Sequence, residues 1–303
     1  MRIQRQALWL LSLILLFATV VNASDRVLYD GESAYTGIQV VEKQDGLRYM
    51  QFGIYEQTAM RMTDPAYLHY PYARTVVAGM AFVEQPVKKI LLLGLGGGTM
   101  PHFLAKRFPE AELDIFEIDP LVVEIAERFF KFKPGEHGAV SVGDGRRLLR
   151  KSQKRYDLII LDAYKAGGIP FHLTTEEFLL SVKDHLAPGG VVAVHLWAEY
   201  ANSYLQAQVK TISKVFAKNY SFYDKAGSFL IFATEHARWL TKERLVARGT
   251  EITRERKLSF DLGQLIAEQF SSTTPIPPVE KLKGEILTDD FAPVNLLRQQ
   301  EVR

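Results

Sequence analysis

The sequence predicts an α/β protein, a Rossmann-like, doubly wound parallel sheet preceded by a small antiparallel β domain. Three observations carry this. From Lys88 onward, short apolar runs alternate with stretches of helical periodicity, the rhythm of a parallel sheet with helices on both faces. A glycine-rich loop, Gly94-Leu95-Gly96-Gly97-Gly98, follows the first of those runs. Before Lys88, residues 25–60 instead alternate in the manner of half-buried strands.

The first 23 residues have the layout of an export signal. Arg2 and Arg5 form a basic start, Ala7 to Val21 is apolar apart from Ser12 and Thr19, and Val21-Asn22-Ala23 offers small residues at a cleavage point. The apolar run is about 15 residues, short of the ~20 that cross a bilayer, which favours a cleaved signal over an uncleaved membrane anchor. In either case the folded part is expected outside the cytoplasm, as a periplasmic or secreted protein or one held at the membrane by this segment. The expected layout is a signal over 1–23, a β-hairpin domain over 24–64 and a Rossmann-like domain over 65–303.

Within the small domain, Ile38–Glu42 and Leu47–Phe52 read as strands around Lys43-Gln44-Asp45-Gly46, a hairpin turn with Asp-Gly at its tip. Tyr67 to Val83 carries apolar residues at helical spacing and predicts a helix ending before Pro86. Ile90–Leu93 is wholly apolar, as in a strand buried on both faces. Leu113–Phe116, Val140–Val142, Leu158–Leu161 and Val191–His195 predict the next four strands. Helices are expected from the glycine loop to Phe108, over Leu121–Phe130 with Pro120 near its start, and over Glu176–Leu186. A helix at Ala201–Phe216 and an antiparallel pair at Tyr220–Asp224 and Phe229–Ala233 would complete the sheet, and Thr274–Pro278 reads as a connector to a tail.

Composition narrows the function. The chain has 303 residues, 37 basic against 35 acidic, a net charge of +2 that gives no reason to expect a nucleic-acid partner. With no cysteine, disulfides, thiolate-bound zinc and a thiol nucleophile are excluded. His69, His102, His172 and His195 are scattered without metal-ligand spacing, so no metal is expected.

The glycine loop lies between a buried strand and a helix, where Gly94, Gly96 and Gly98 allow a tight turn and close backbone approach to a ligand. Glu117 ends the next strand, about 20 residues on, where a carboxylate can accept hydrogen bonds from ribose hydroxyls. Asp144, between Gly143 and Gly145 after the third strand, is placed to meet an adenine amino group, and Asp162 ends the fourth strand. Any one of these acids is equally well explained as a helix cap. As a set, they stand at consecutive strand ends that share one crevice, which points to a bound nucleoside. The spacing does not exclude NAD. Thr99-Met100-Pro101-His102 nevertheless follow the loop where a dinucleotide site would place its third glycine. His172 reads as a solvated loop residue, Trp197 and Trp239 as packing, and Arg146-Arg147, Arg150-Lys151 and Lys154-Arg155 as a solvated helix face. Tyr164 is a candidate to cover an adenine or an amine by stacking.

Taken together, these motifs resemble the spermidine synthase (polyamine aminopropyltransferase) family, and in particular its divergent spermidine synthase-like branch. Ser33-Ala34-Tyr35-Thr36-Gly37-Ile38 resembles that family's opening strand, and Gln57 falls near its nucleoside-contacting glutamine. Leu93 to Gly98, Phe116-Glu117-Ile118-Asp119 and Val142-Gly143-Asp144-Gly145 resemble its cofactor motifs. Tyr156 to Asp162 resembles the strand that ends in its catalytic aspartate, and Leu287 to Val294 its C-terminal signature. The resemblance implies a transferase that binds decarboxylated S-adenosylmethionine, or S-adenosylmethionine, as co-substrate. An amine acceptor attacks the aminopropyl carbon and displaces methylthioadenosine. It makes Asp162 the catalytic residue, Gln57, Gly94, Gly96, Gly98, Glu117, Asp144 and Gly145 the cofactor contacts, and Tyr164, Lys165 and Asp289 the acceptor-pocket candidates. A homodimer is compatible with it.

Three departures stand out. The family loop Asp-Ser-Ser-Asp here reads Asp162-Ala163-Tyr164-Lys165, the glycine loop has Gly97-Gly98-Thr99 without the family's internal aspartate, and Tyr72-Ala73-Arg74 stands where a glutamate is usual. If these residues line the pocket, its charge changes sign, and a protonated diamine is disfavoured. Two alternatives stay open, a methyltransferase acting on a small acidic or neutral acceptor and a scaffold protein that kept the fold without the chemistry.

Overall fold

A computed structural model describes residues 25–165, 168–224, 226–271 and 276–290. The export segment and Phe291–Val294 of the C-terminal motif lie outside the described residues.

The N-terminal part is a four-stranded antiparallel sheet in the order β1 (Arg26–Glu32), β2 (Gly37–Glu42), β3 (Leu47–Phe52), β4 (Tyr55–Arg61). The expected hairpin is its centre, β2 with β3 around the Asp45-Gly46 turn. Ser33 to Ile38, expected as a single strand, divides. Ser33–Thr36 is a turn, in which the Ser33 hydroxyl accepts from the amides of Tyr35 and Thr36, and β2 starts only at Gly37. A serine hydroxyl competing for backbone donors ends a strand in this way. One face of the sheet carries a small cluster of its own, Leu47, Tyr49 and Ala59, with Tyr70 against it, and the other joins the main core. Ile38, Val40, Met50, Phe52 and Met60 are buried together with Phe103 and Phe130 of the main domain.

The expected helix over Tyr67–Val83 is shorter. It comprises α1 (Pro71–Val76) and one 3-10 stretch, Val77–Ala81. Pro71 lacks an amide hydrogen and starts the helix, so Tyr67–Tyr70 stay outside it.

The main sheet has seven strands in the order β10-β11-β9-β8-β5-β6-β7. The parallel strands are β5 (Lys89–Leu93), β6 (Glu112–Glu117), β7 (Ala139–Val142), β8 (Tyr156–Leu161) and β9 (Leu186–Trp197). The antiparallel pair is β10 (Lys218–Tyr223) and β11 (Ser228–Thr234). Helices α2 (Thr99–Arg107), α3 (Pro120–Phe130), α4 (Gly145–Lys151), α5 (Glu176–Asp184) and α6 (Leu205–Val215) connect them. Leu91, Ile159, Val192 and Ile231 are fully buried on one face and Leu92, Ile160, Ala193 and Phe232 on the other, which is why these strands read as apolar runs. Two further helices, α7 (Lys242–Glu255) and α8 (Leu262–Gln269), carry no strong signal in the sequence. They start at Thr241 and Asp261, whose side chains accept from Arg244 N and Gln264 N.

The order reverses between β5 and β8. β6 and β7 are added on one side of β5, and β8 and β9 on the other. Open α/β sheets bind ligands at the strand C-termini beside such a reversal.

Candidate active site

A cavity of about 550 Å³ opens there. Its floor is the C-terminal ends of the central strands, and the N-terminal sheet and α1 cover it. Gln57, Gly94, Gly96, Glu117, Asp144, Gly145, Asp162, Tyr164 and Lys165 all line it.

Gly94 leaves β5 with φ +96°, and a Cβ there would come within 2.5 Å of the Asp162 carbonyl oxygen. Only glycine lets the ends of β5 and β8 approach so closely. Gly98 is not among the lining residues. It precedes α2 with φ +80°, and its missing Cβ makes room for the Phe132 ring at 3.0 Å. In the structure Gly98 serves the packing of α2 against Phe132. The N-terminal sheet fastens the loop, because Thr58 Oγ1 accepts from Gly97 N at 2.7 Å.

Glu117 is buried and holds the loop through two backbone bonds, from Leu95 N to Oε2 at 2.9 Å and from Asp119 N to Oε1 at 3.0 Å. Burial pushes its carboxyl above the ordinary range. The Ile118 amide also bonds to it, and a carboxylate has about four acceptor positions, so these backbone bonds do not exhaust it. Asp119 caps α3 through Leu121 N at 2.9 Å, but its Oδ2 is buried without a partner, as is Thr99 Oγ1, and both residues line the cavity. Orphaned acceptors on a cavity wall are places for ligand hydroxyls. Asp144 caps α4 through Arg147 N at 2.8 Å with Oδ1, while its Oδ2 lies 2.8 Å from His172 Nε2. The cap reading and the cavity reading thus both hold for Asp144. His172 has a specific partner where a solvated loop residue was expected. This half of the cavity has the donor set and glycine cradle of a nucleoside site.

The other half is built around Asp162. Its Oδ1 lies 2.8 Å from His195 Nδ1, and its Oδ2 accepts from the Tyr72 hydroxyl at 3.4 Å. His195 Nε2 is 3.1 Å from Ser228 Oγ. Every partner is satisfied when Nδ1 donates to Asp162 and Nε2 accepts from Ser228. The Tyr72 ring lies flat on the His195 imidazole, with centroids 4.0 Å apart at 7°. Burial, and then the Asp162 charge, hold the Tyr72 phenol well above the ordinary tyrosine range, so it stays a donor. Tyr164 donates to the His195 carbonyl at 2.9 Å and stacks on Trp197 at 5.1 Å, and Trp197 stacks on Tyr55 at 5.8 Å.

His195 and Trp197 carry no assigned site role in the sequence reading, and Tyr72 enters it only within the Tyr72-Ala73-Arg74 segment. Trp197, expected as packing, lines the cavity. For His195 a signal existed. It is a polar residue ending an apolar run, on the strand next to the one that ends in Asp162.

Two acceptor-pocket expectations change. Asp289 is not among the lining residues. Its carboxylate is clamped by Arg146 at 2.6 and 2.5 Å, while Leu287 beside it bonds to Glu176 N and Thr211. It ties the C-terminal segment to α4, and Arg146 in turn is no solvated side chain. Arg74 donates to the His69 carbonyl and is not on the cavity wall. Lys165 does line the cavity, is exposed, and forms no ion pair among the described residues. Among those residues no group of His, Asp and Glu is placed to hold a metal ion.

Fold and cavity define a Rossmann-like α/β protein of the methyltransferase type with an added N-terminal β sheet. The chain belongs, within that class, to the spermine/spermidine synthase family, whose domain profile matches residues 70–225. A polyamine aminopropyltransferase of Vibrio vulnificus is 31% identical over 94% of this chain and 98% of its own length. In fold, the chain is similar to a spermidine synthase solved with the transition-state analogue AdoDATO, with a TM-score of 0.66 and 22% identity, covering 81% of this chain and 85% of that one. Human methyltransferase-like protein 13 with SAH also shares the fold, with a TM-score of 0.57 and 22% identity over 68% of this chain and 98% of that one.

Proposed function

We propose that this protein is an aminopropyltransferase that uses decarboxylated S-adenosylmethionine, or a close nucleoside relative, and passes the aminopropyl group to an amine. The observation that carries the reading is the placement of Asp162, held between His195 and Tyr72 across the crevice from Glu117. The nucleoside would sit over Gly94 and Gly96, its ribose toward Glu117 and its adenine toward Asp144. The amine would sit at Asp162. Only a neutral amine has a lone pair, so a carboxylate there orients the nitrogen and takes up the proton it loses. A nitrogen–carbon bond forms as the carbon–sulfur bond breaks, and the sulfur keeps the electron pair as neutral methylthioadenosine. Tyr72 and His195 hold Asp162 still, which preserves a near-attack geometry.

A methyltransferase reading is less well supported. The eEF1A methyltransferases of similar sequence match about 44% of this chain and about a fifth of their own length, whereas the aminopropyltransferase match runs through both sheets. Export of the mature chain, beginning near Ser24, is part of the proposal and rests on residues 1–23.

Two measurements test the reading. Calorimetry with methylthioadenosine, decarboxylated S-adenosylmethionine and S-adenosylmethionine should rank the decarboxylated donor above S-adenosylmethionine. A discontinuous assay with the decarboxylated donor and a panel of amines should release methylthioadenosine. Transfer of a methyl group from S-adenosylmethionine, with no release from the decarboxylated donor, would overturn it.

A further inference from the structure

The acceptor half of the cavity has an unusual charge inventory. Five carboxylates line the whole cavity, and three of them, Glu117, Asp119 and Asp144, follow β6 and β7 on the nucleoside side. β6 is two strand spacings from β8, roughly 10 Å. Glu56, on the covering sheet, is already occupied. It pairs with Lys43 at 2.5 Å and accepts from the Tyr70 hydroxyl at 3.0 Å. Asp162 differs in having no lysine or arginine paired with it among the described residues: its oxygens are bonded to His195 and Tyr72, and a carboxylate with about four acceptor positions keeps room there for an acceptor cation. The nearby charge on the same loop is Lys165, also on the wall. Glu177, in the first turn of α5, accepts from the Asp289 amide at 3.0 Å and does not pair with Lys165. The rest of this half is aromatic, with Tyr70, Tyr72, Tyr164 and Trp197 on the wall.

A diamine presents an ammonium at each end. At Asp162 one end is matched, but the charge the other meets is a lysine in place of a second acid. An acceptor with one amino group and one carboxylate presents the opposite polarity at its far end. We infer that the acceptor is an amino acid of the ω-amino type, its amine at Asp162, its methylene chain along the tyrosine and tryptophan rings, and its carboxylate toward Lys165. The aromatic rings accept either chain, so the discrimination resides in Lys165. A second ammonium 4–6 Å from that lysine would weaken binding by two to three decades at an effective dielectric near 20, and by about one to two once solvent screening of an exposed side chain is included.

The inference rests on the aminopropyltransferase reading for the reaction, but its test is independent of turnover. Three four-carbon amines differ only at the far end, 4-aminobutyrate, butylamine and putrescine. Their binding is measured by calorimetry to the full chain, with and without saturating methylthioadenosine. The expected order is 4-aminobutyrate tightest, butylamine intermediate and putrescine weakest, with at least ~10-fold between first and last. Lys165→Glu should invert the order, and Lys165→Gln should bring the three together. Lys165 is exposed, so both variants are expected to fold, and unchanged methylthioadenosine affinity checks this. Putrescine binding as tightly as 4-aminobutyrate, an unchanged order in Lys165→Glu, or no binding of any of the three would overturn the inference. Failure of methylthioadenosine itself to bind would instead count against the aminopropyltransferase reading, while the order of the amines without it still judges the acceptor.

Discussion

The two halves of the cavity are built differently. The nucleoside half is assembled from residues close to one another in the chain, since Leu95, Glu117 and Asp119 bond among themselves across one β-α-β unit. The acceptor half joins Tyr72, Asp162, His195 and Ser228, on four different segments, with each hydrogen-bonded pair 33 to 90 residues apart. Local construction makes the first half a sequence motif that many proteins can share. Long-range construction lets the second change its partners while the fold stays the same. It is in this half that Lys165 stands, in the loop after β8.

If the halves are separable, variants should divide between them. The largest effect is expected at Asp162. Asp162→Asn keeps the shape but cannot take up a proton, and should lower turnover by about 10³-fold, within the usual range for a lost general base. Methylthioadenosine affinity should stay within about threefold, and a parallel loss of nucleoside binding would show that the halves are one unit.

His195→Ala comes next. It removes the group that orients Asp162, so kcat should fall roughly 10–100-fold with little change in the nucleoside KM. Its pH–rate profile should shift, whereas a purely structural role would lower stability and leave the profile in place. Ser228→Ala should reproduce a smaller part of the same change, because it removes only the far hydrogen bond of the imidazole.

Glu117→Ala tests the other half. Losing charge-assisted bonds of roughly 1.5–3 kcal/mol should weaken methylthioadenosine binding at least ~10-fold. At saturating nucleoside, kcat should be nearly unchanged. The same substitution leaves the Leu95 and Asp119 amides without their acceptor, so a fall in Tm is expected as well.

The smallest effect is expected outside both halves. Arg146 holds the Asp289 carboxyl below its ordinary 3.8. A depressed carboxyl stabilises the fold above its unfolded value, and the contribution is lost as pH falls through the folded value. Asp289→Asn should therefore cost less than ~1 kcal/mol near neutral pH, because a pair this exposed is screened. The difference between natural and variant protein should shrink below about pH 4 in chemical-denaturation curves. A loss of acceptor binding in this variant would return Asp289 to the pocket.

The sequence by itself determined the sheet and which residues after β5, β6 and β7 meet at one cavity. Consecutive apolar residues in β5, β8 and β9 reflect burial on both faces, and Gly94, Glu117 and Asp144 follow their strands at short, regular spacings. Such features depend on contacts within a few dozen residues, so they leave a pattern in the chain. It also determined Asp162, through the apolar strand that ends in it. Only the tertiary structure decided which side chains meet Asp162. His195 reaches it because β8 and β9 are neighbours in register, and Tyr72 because α1 packs over the strand ends. Only the fold, too, placed Gly98 against Phe132, drew Asp289 away to Arg146 and turned Trp197 toward the cavity. The physical reason is common to all of these. A side chain's role is set by what packs against it, and for these residues the partners come from distant parts of the chain, whose approach no local spacing records.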